Sequence, residues 1–322
     1  MGQQTVWTRR PMDESSITVI LATHNGGARL ERTLASMTAL EDPEGGWGLI
    51  VVDNASTDNT PSIIESYKDK LPLTAMKNPV PGKNRSLNLA LEKAGGDLII
   101  FTDDDVLVPP NWLKNYVGLA KNHPEFTVFG CRITPDWPSP PPREILEGVS
   151  VGDAFAVHDD ALKSGEVAPG KIWGPNMAVR GNVFSAGHRF DETIGPAGPN
   201  YVPGSESAFN MKLAKAGYRF WFGNQNAVQH QIRPEQLTAK WLKGRAFRLG
   251  RGQVHWSMIE SKASPAKIGP YPRWYFTALF ACSLQWLGGL FGLNAVQRMK
   301  AWWRFHTLRG MFFEQRRLNK NR

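Results

Sequence analysis

Three short apolar runs, each ending in polar residues, constrain this chain more than any other feature. Ile17–Ala22 (ITVILA) breaks at Thr23-His24-Asn25, and Leu49–Asp53 (LIVVD) leads into Asn54-Ala55-Ser56. Leu98–Thr102 (LIIFT) runs straight into Asp103-Asp104-Asp105. All three are apolar without alternation, the pattern of a strand covered on both faces, as in parallel sheets. Helical spacing separates them: Leu30, Leu34, Met37 and Leu40 after the first, and Asp58-Asn59-Thr60-Pro61 opening a second helix with proline in its first turn. A third strand is expected within Leu71–Met76, and Asn84–Ala94 reads as a helix stopped by Gly95-Gly96. Strands alternating with such helices specify βαβ units: an α/β fold with a mainly parallel sheet flanked by helices. In open α/β sheets the ligand crevice lies beyond the carboxyl ends of the strands, where these three polar clusters converge.

Beyond Asp105 the pattern loosens. Pro135 to Pro142 (PDWPSPPP) opens an irregular stretch to about Lys171, expected to form loops edging the cleft. Trp173–Arg180 returns to strand-like sequence, Glu206–Ala216 is helical up to Gly217, and Ala227–His230 is expected as a last short strand. The formal charge of +9 conceals a split. Residues 1–232 carry 21 Lys and Arg against 26 Asp and Glu, whereas 233–322 carry 17 against 3 and half of the twelve tryptophans. The expected organisation is therefore an acidic globular domain over 1–232 and a basic, Trp-rich helical region over 233–322. A basic tail of this kind suits an anionic membrane surface better than a nucleic acid, and no nucleic-acid partner is expected. Cys131 and Cys282 stand far apart in no metal-ligand spacing, which favours a reducing compartment over a disulfide framework. The first sixteen residues lack the apolar core of a secretory signal.

The acidic strand end carries the most chemistry. Three adjacent carboxylates after a buried strand are costly unless a cation neutralises them. A hard ion such as Mg²⁺ or Mn²⁺ takes oxygen ligands and keeps positions for phosphate oxygens. Asp103 and Asp105, two apart at a strand end, can face one side. A solvated acidic turn capping the next helix is the competing reading. Asp53 sits at the end of its strand, placed to accept from a nucleobase imide, although the segment also fits an Asx turn. Lys83 and Arg85 follow Gly82 at a helix start, where cations and free backbone N–H groups both favour a diphosphate. Lys77 stands where a P-loop needs its first glycine, so that motif is absent.

Taken in order, ITVILATHN, LIVVDNASTDNT, GKNRSLNLALEKAGGDLIIFTDDDV and GSESAFNMKLAKAGY resemble the motif series of glycosyltransferase family 2, of the GT-A fold. The resemblance spans roughly Ile17 to His230. It implies nucleotide contacts from Thr23, Asn25 and Asp53, and a D-x-D motif on Asp103, Asp104 and Asp105 with Asp105 the direct metal ligand. It places the general base on Glu206 and a histidine closing the metal or diphosphate site on His230. Two departures stand out: Ser205 replaces the acid before Glu206, and Ala208 replaces the next acid along the helix. The implied activity is an inverting transfer of a sugar from a nucleotide-diphosphate donor to a glycan or lipid-linked acceptor. Trp173 and Asn176, between the metal and base motifs, are expected on the acceptor side.

Trp274–Leu293 is 20 residues long without a charge and is flanked by basic residues on both sides. One crossing would leave a strongly basic flank on each face of the bilayer, against the positive-inside tendency. An interfacial or re-entrant hairpin over 274–322 is therefore expected, on the cytoplasmic face of a membrane, with Trp302, Trp303, Phe305, Phe312 and Phe313 among the headgroups. A buried core helix is the alternative. Two other functions compete: a sugar-1-phosphate nucleotidyltransferase, for which the loop after the first strand holds too few glycines and cations, and a non-catalytic adaptor, which leaves the polar strand ends unexplained.

Overall fold

The computed structural model describes residues 17–196, 203–259, 267–268, 271–288 and 294–320. Its first half realises the expected alternation: β1 (Ile17–Thr23), α1 (Gly27–Met37), β2 (Trp47–Asn54), α2 (Thr60–Ser66), β3 (Leu73–Asn78), α3 (Lys83–Leu91) and β4 (Leu98–Asp103). β1 runs parallel to both β2 and β4, and β2 parallel to β3. The unbroken apolar character of β1 has a direct cause. Val19 and Leu21 face Leu30 and Leu34 of α1 in one core cluster, while Ile20 faces Leu87 and Leu91 of α3 in the other. Register then places Thr23 opposite Asp53 and Ala22 opposite Asp103, so the three strand ends lie side by side.

The second half adds β5 (Val106–Leu107), α4 (Trp112–Asn122), β6 (Val128–Asp136), α5 (Arg143–Gly148), α6 (Val151–Phe155) and β7 (Gly165–Glu166). It continues through β8 (Met177–Arg180), α7 (Gly181–Ser185), α8 (Ser205–Lys215) and β9 (Phe220–Gln231). Among the described residues the main sheet has the order β3-β2-β1-β4-β8-β6-β9-β5, with β7 also paired to β9. β8 is antiparallel to β4 and β6, so the sheet is mixed. The stretch after Pro142 is more regular than expected. α5 and α6 form there because Ile145, Ala154 and Phe155 bury against the main core. β9 is also longer than the short strand expected at its end. Its apolar start, Phe220 and Phe222, is separated from Val228 by polar residues that hide one strand as two, with a register shift opposite Cys131 and Ile133.

The C-terminal part comprises α9 (Ala239–Ile259), the short pair β10 (Lys267–Ile268) and β11 (Tyr271–Pro272), α10 (Arg273–Gly288) and α11 (Ala295–Lys320). Leu242, Ala246 and Leu249 of α9 and Trp303 of α11 enter the same core cluster as β1 and β6, which joins this region to the sheet. α9 and α11 cross at two glycines: a Cβ on Gly250 would collide with the Thr307 carbonyl, and one on Gly310 with that of Phe247. Fully buried Glu314 locks the crossing, accepting from Arg251 at 2.6 Å and pairing with His255 at 2.9 Å and with Arg317.

The tail departs from expectation in its aromatics. Trp303 is in the core, Trp302 packs against it, and Phe312 stacks on Tyr271 and Tyr275. Only Phe305 and Phe313 of the five expected among headgroups are exposed. Among the described residues no helix is long and apolar enough to cross a membrane. Residues 289–293, the end of the uncharged run, and the first sixteen residues lie outside those described.

Candidate active site

The acidic centre forms where β4 ends. Thr23, buried at the end of β1, donates its hydroxyl to Asp104 Oδ2 at 2.5 Å. Gly26 is required beside that bond, because a Cβ there would collide with Thr23 Oγ1 and crowd Asp104. Thr23 thus orients an acidic side chain. Asn25 lies at positive φ, takes the Thr57 backbone N–H on Oδ1 at 2.8 Å, and closes the β1 turn onto the β2 turn. Asp53 is buried and accepts the Ser56 N–H at 3.0 Å, which makes the Asx turn foreseen as its competing role.

Lys83 is the hinge of the site. Its Nζ donates to Asp103 Oδ1 at 2.7 Å and to Glu206 Oε1 at 2.8 Å, bridging β4 to the first turn of α8. Two carboxylates raise the Lys83 pKa despite burial, so the ammonium stays charged. Burial pushes Glu206 toward the neutral form, but Lys83 outweighs it and holds this carboxyl below its usual range. Asp103 is raised, by burial first and by the Glu206 and Asp105 charges next, with Lys83 opposing. Burial and then Asp105 push Asp104 up to about 6. Glu206 also fills the space over Gly174, where a Cβ would collide with its carboxylate. Lys83 itself is set by a network that the sequence pattern did not reveal. Asn54 Oδ1 accepts the Gly82 N–H at 2.8 Å, and Asn78 Nδ2 donates to Ser86 Oγ at 3.0 Å and toward Asn54 Oδ1. The visible signal for both asparagines is their position at strand ends.

On the other side of the cluster, His230 Nε2 lies 3.3 Å from Asp105 Oδ1 while Nδ1 donates to the Phe155 carbonyl at 2.6 Å. That second bond fixes the ring and leaves Nε2 aimed at the carboxylate, the arrangement metal-binding histidines use. Burial opposes the charge on both groups, yet their mutual attraction prevails, lowering Asp105 and raising His230. One carboxylate and one imidazole fit one face of a hard divalent cation whose remaining positions go to phosphate and water. A complete protein cage is not present: no three His, Cys, Asp or Glu side chains among the described residues form one. A cleft of about 370 Å³ opens beside this centre, lined by Arg29, Arg32, Trp137 and Gln231. Gln231 donates its backbone N–H to the Asp105 carbonyl at 2.8 Å, which ties the cleft to the cluster.

Of the remaining expected site residues, Arg85 does not join the centre: it is exposed and pairs with Glu192 at 3.2 Å. Trp173 stacks on His158 with ring centroids 4.3 Å apart and stays partly accessible beside Gly174. Asn176 is corrected from acceptor contact to core. It is 0% exposed; its Oδ1 accepts from Trp112 Nε1 and Tyr116 OH, and its Nδ2 donates to the Arg132 and Asn226 carbonyls. Arg245 approaches Glu206: its Nε donates to the Asp153 carbonyl at 2.9 Å and its charge reaches the Glu206 carboxylate.

In sequence and in fold the chain is similar to known glycosyltransferases. The profile of the family described as Glycosyl transferase family 2 matches residues 18–162. Succinoglycan biosynthesis protein ExoM of Rhizobium meliloti is 26% identical over 238 residues, 73% of this chain and 72% of the relative. Poly(ribitol-phosphate) beta-N-acetylglucosaminyltransferase TarS of Staphylococcus aureus is 32% identical over 109 residues, 33% of this chain and 19% of that longer protein. Among solved structures, mannosyltransferase PcManGT from Pyrobaculum calidifontis, in complex with GDP-Man and Mn²⁺, superposes with a TM-score of 0.65 at 19% identity, covering 97% of this chain and 90% of its own. S. aureus TarS 1–349 in complex with UDP-GlcNAc gives 0.53 at 18% identity, over 93% and 92% of the two chains. At these identities the structural likeness speaks to fold alone.

Proposed function

Taking as premise that the chain belongs to glycosyltransferase family 2 and has the GT-A fold, we propose that it transfers a sugar, with inversion, from a nucleotide-diphosphate donor to an acceptor hydroxyl. The observation that carries this reading is the Lys83 bridge between Asp103 and Glu206, which sets a donor-side and an acceptor-side carboxylate around one point. Glu206, kept ionised by Lys83, takes the proton of the attacking hydroxyl. Asp53, Asn25 and Thr23 shape the nucleoside end, Thr23 by orienting Asp104. Lys83 and Arg29 supply positive charge to the departing diphosphate. Trp173 borders the acceptor side next to Glu206.

Asp105 and His230, with Asp103, are the residues that would hold Mg²⁺ or Mn²⁺; a cation bound there would supply positive charge for the developing charge of the diphosphate. A glycan or lipid-linked saccharide of cell-surface glycan synthesis is the acceptor class we favour, since one similar protein is named for succinoglycan biosynthesis and another as a poly(ribitol-phosphate) beta-N-acetylglucosaminyltransferase. We place the reaction at the cytoplasmic face of a membrane, contacted through 274–322, where the exposed charged side chains among the described residues are basic.

The test is turnover of a panel of nucleotide sugars with Mn²⁺ and with chelator, for the full chain and Glu206→Gln. Metal-dependent turnover that falls about 10²- to 10⁴-fold in the variant is expected. Absence of both turnover and metal-dependent nucleotide binding in the wild type overturns the reading.

A further inference from the structure

Seven large apolar side chains are exposed among the described residues, and five of them lie on α10 and α11. Phe276, Phe280 and Leu284 are 38%, 66% and 53% exposed. Their four-residue spacing sets them on one face of α10. That face is not a failed core contact, because the opposite face is already satisfied. Tyr275 and Cys282 are buried against Leu308, Met311 and Phe312 of α11, and the Tyr275 hydroxyl donates to the Leu308 carbonyl. Along α10 the only charged residue is Arg273 at its start.

The charge that α11 itself adds beside this stripe has one sign. The single acid of α11, Glu314, is fully buried against Arg251, His255 and Arg317. Among the described side chains, those that α11 exposes to solvent therefore contribute only positive charge, from Arg298, Lys300, Arg304, Arg309, Arg316 and Arg317. Arg304 sits beside Cys282, next to α10 itself. The described part of α10, 16 residues, is about 24 Å long, short of a hydrocarbon core of about 30 Å. A helix with an aromatic face, no acids and a cationic neighbour lies in an interface rather than across it.

We infer that the outer face of α10 docks flat on an anionic lipid bilayer. Phe276, Phe280 and Leu284 enter the boundary between headgroups and acyl chains, and the α11 cations meet lipid phosphates. This rests on the reading of 274–322 as the membrane-contacting region and replaces the aromatic set that the sequence suggested with a different one. A second copy is the poorer occupant, since pairing two such faces brings two cationic helices together. The site chemistry is then carried out against the membrane surface, within reach of a lipid-linked acceptor.

The experiment uses the full chain and sedimentation with phosphatidylcholine vesicles, with and without phosphatidylglycerol. The wild type is expected to bind the anionic vesicles and to lose binding with salt. Combined Phe276→Ser, Phe280→Ser and Leu284→Ser is expected to weaken binding roughly tenfold or more, leaving nucleotide-sugar turnover and melting temperature unchanged. A second arm needs no disruptive change: Cys131 and Cys282 are both buried, so Phe280→Cys takes a polarity-sensitive fluorophore selectively. Its emission is expected to shift to the blue on anionic vesicles. Wild-type binding with an unaffected triple variant and an unshifted probe overturns the assignment of this face while the membrane reading stands. No binding by the wild type overturns both. A dimer in solution that the triple variant dissolves, with vesicle binding unchanged, assigns the face to a second copy instead.

Discussion

Lys83 touches two carboxylates that reach it from β4 and from α8, and this gives the residue-scale chemistry a distinctive pH signature. Lys83→Met removes the ammonium that keeps buried Glu206 ionised, so desolvation is left unopposed and the Glu206 pKa rises. The acid limb of kcat/KM is expected to move to higher pH in this variant, read from pH–rate profiles against wild type. Glu206→Gln shows no such limb. At the opposite side of the cluster, Asp105→Ala removes the partner that favours charged His230 and one of the residues we propose to hold the cation. Its Mn²⁺-dependent affinity for a nucleoside diphosphate is expected to fall by about 10- to 100-fold by calorimetry. Metal-independent binding through the β1 and β2 turns is expected to persist.

At the scale of elements, the βαβ half was legible and its causes are plain. β1, β2 and β4 are covered on both faces, so their sequences are apolar throughout and their polar ends stand out. Thr23, Asp53 and Asp103 could be placed together before any coordinates because a parallel register leaves their strand ends adjacent. Asn176 could not be placed, since the indole and phenol that occupy it come from α4, sixty and more residues earlier. The tail misled for another reason: α11 is aromatic on several sides, and only its contact with α9 and α10 decides which rings turn inward. That contact makes a prediction. Gly310→Ala forces a methyl into the Phe247 carbonyl, and Gly250→Ala does the same at Thr307. Each is expected to cost about 1–3 kcal/mol, seen as a lowered melting temperature.

At the scale of the whole molecule, acid is expected to loosen the fold from two places at once. Burial lowers both His158, in the sheet-bound half, and His306, on α11, to about 4. Each is neutral when folded and protonates near 6.5 when unfolded. Their stabilisation is complete above pH 6.5 and is lost as pH falls through about 4. The unfolding free energy from urea titration is expected to drop across that window, by up to about 3 kcal/mol for His158, and His158→Gln is expected to flatten the drop. Glu314, lowered to about 2 by hydrogen bonds from Arg317, His255 and Arg251 against the pull of burial, holds the helical half until lower pH still. The charge bridge at the centre has a consequence on the timescale of lineages. Positions 83, 103 and 206 share one ammonium, so a change at any of them alters the cost of change at the other two. Divergent descendants of this chain should therefore inherit or abandon the three together, a signature of epistasis written across 123 residues of sequence.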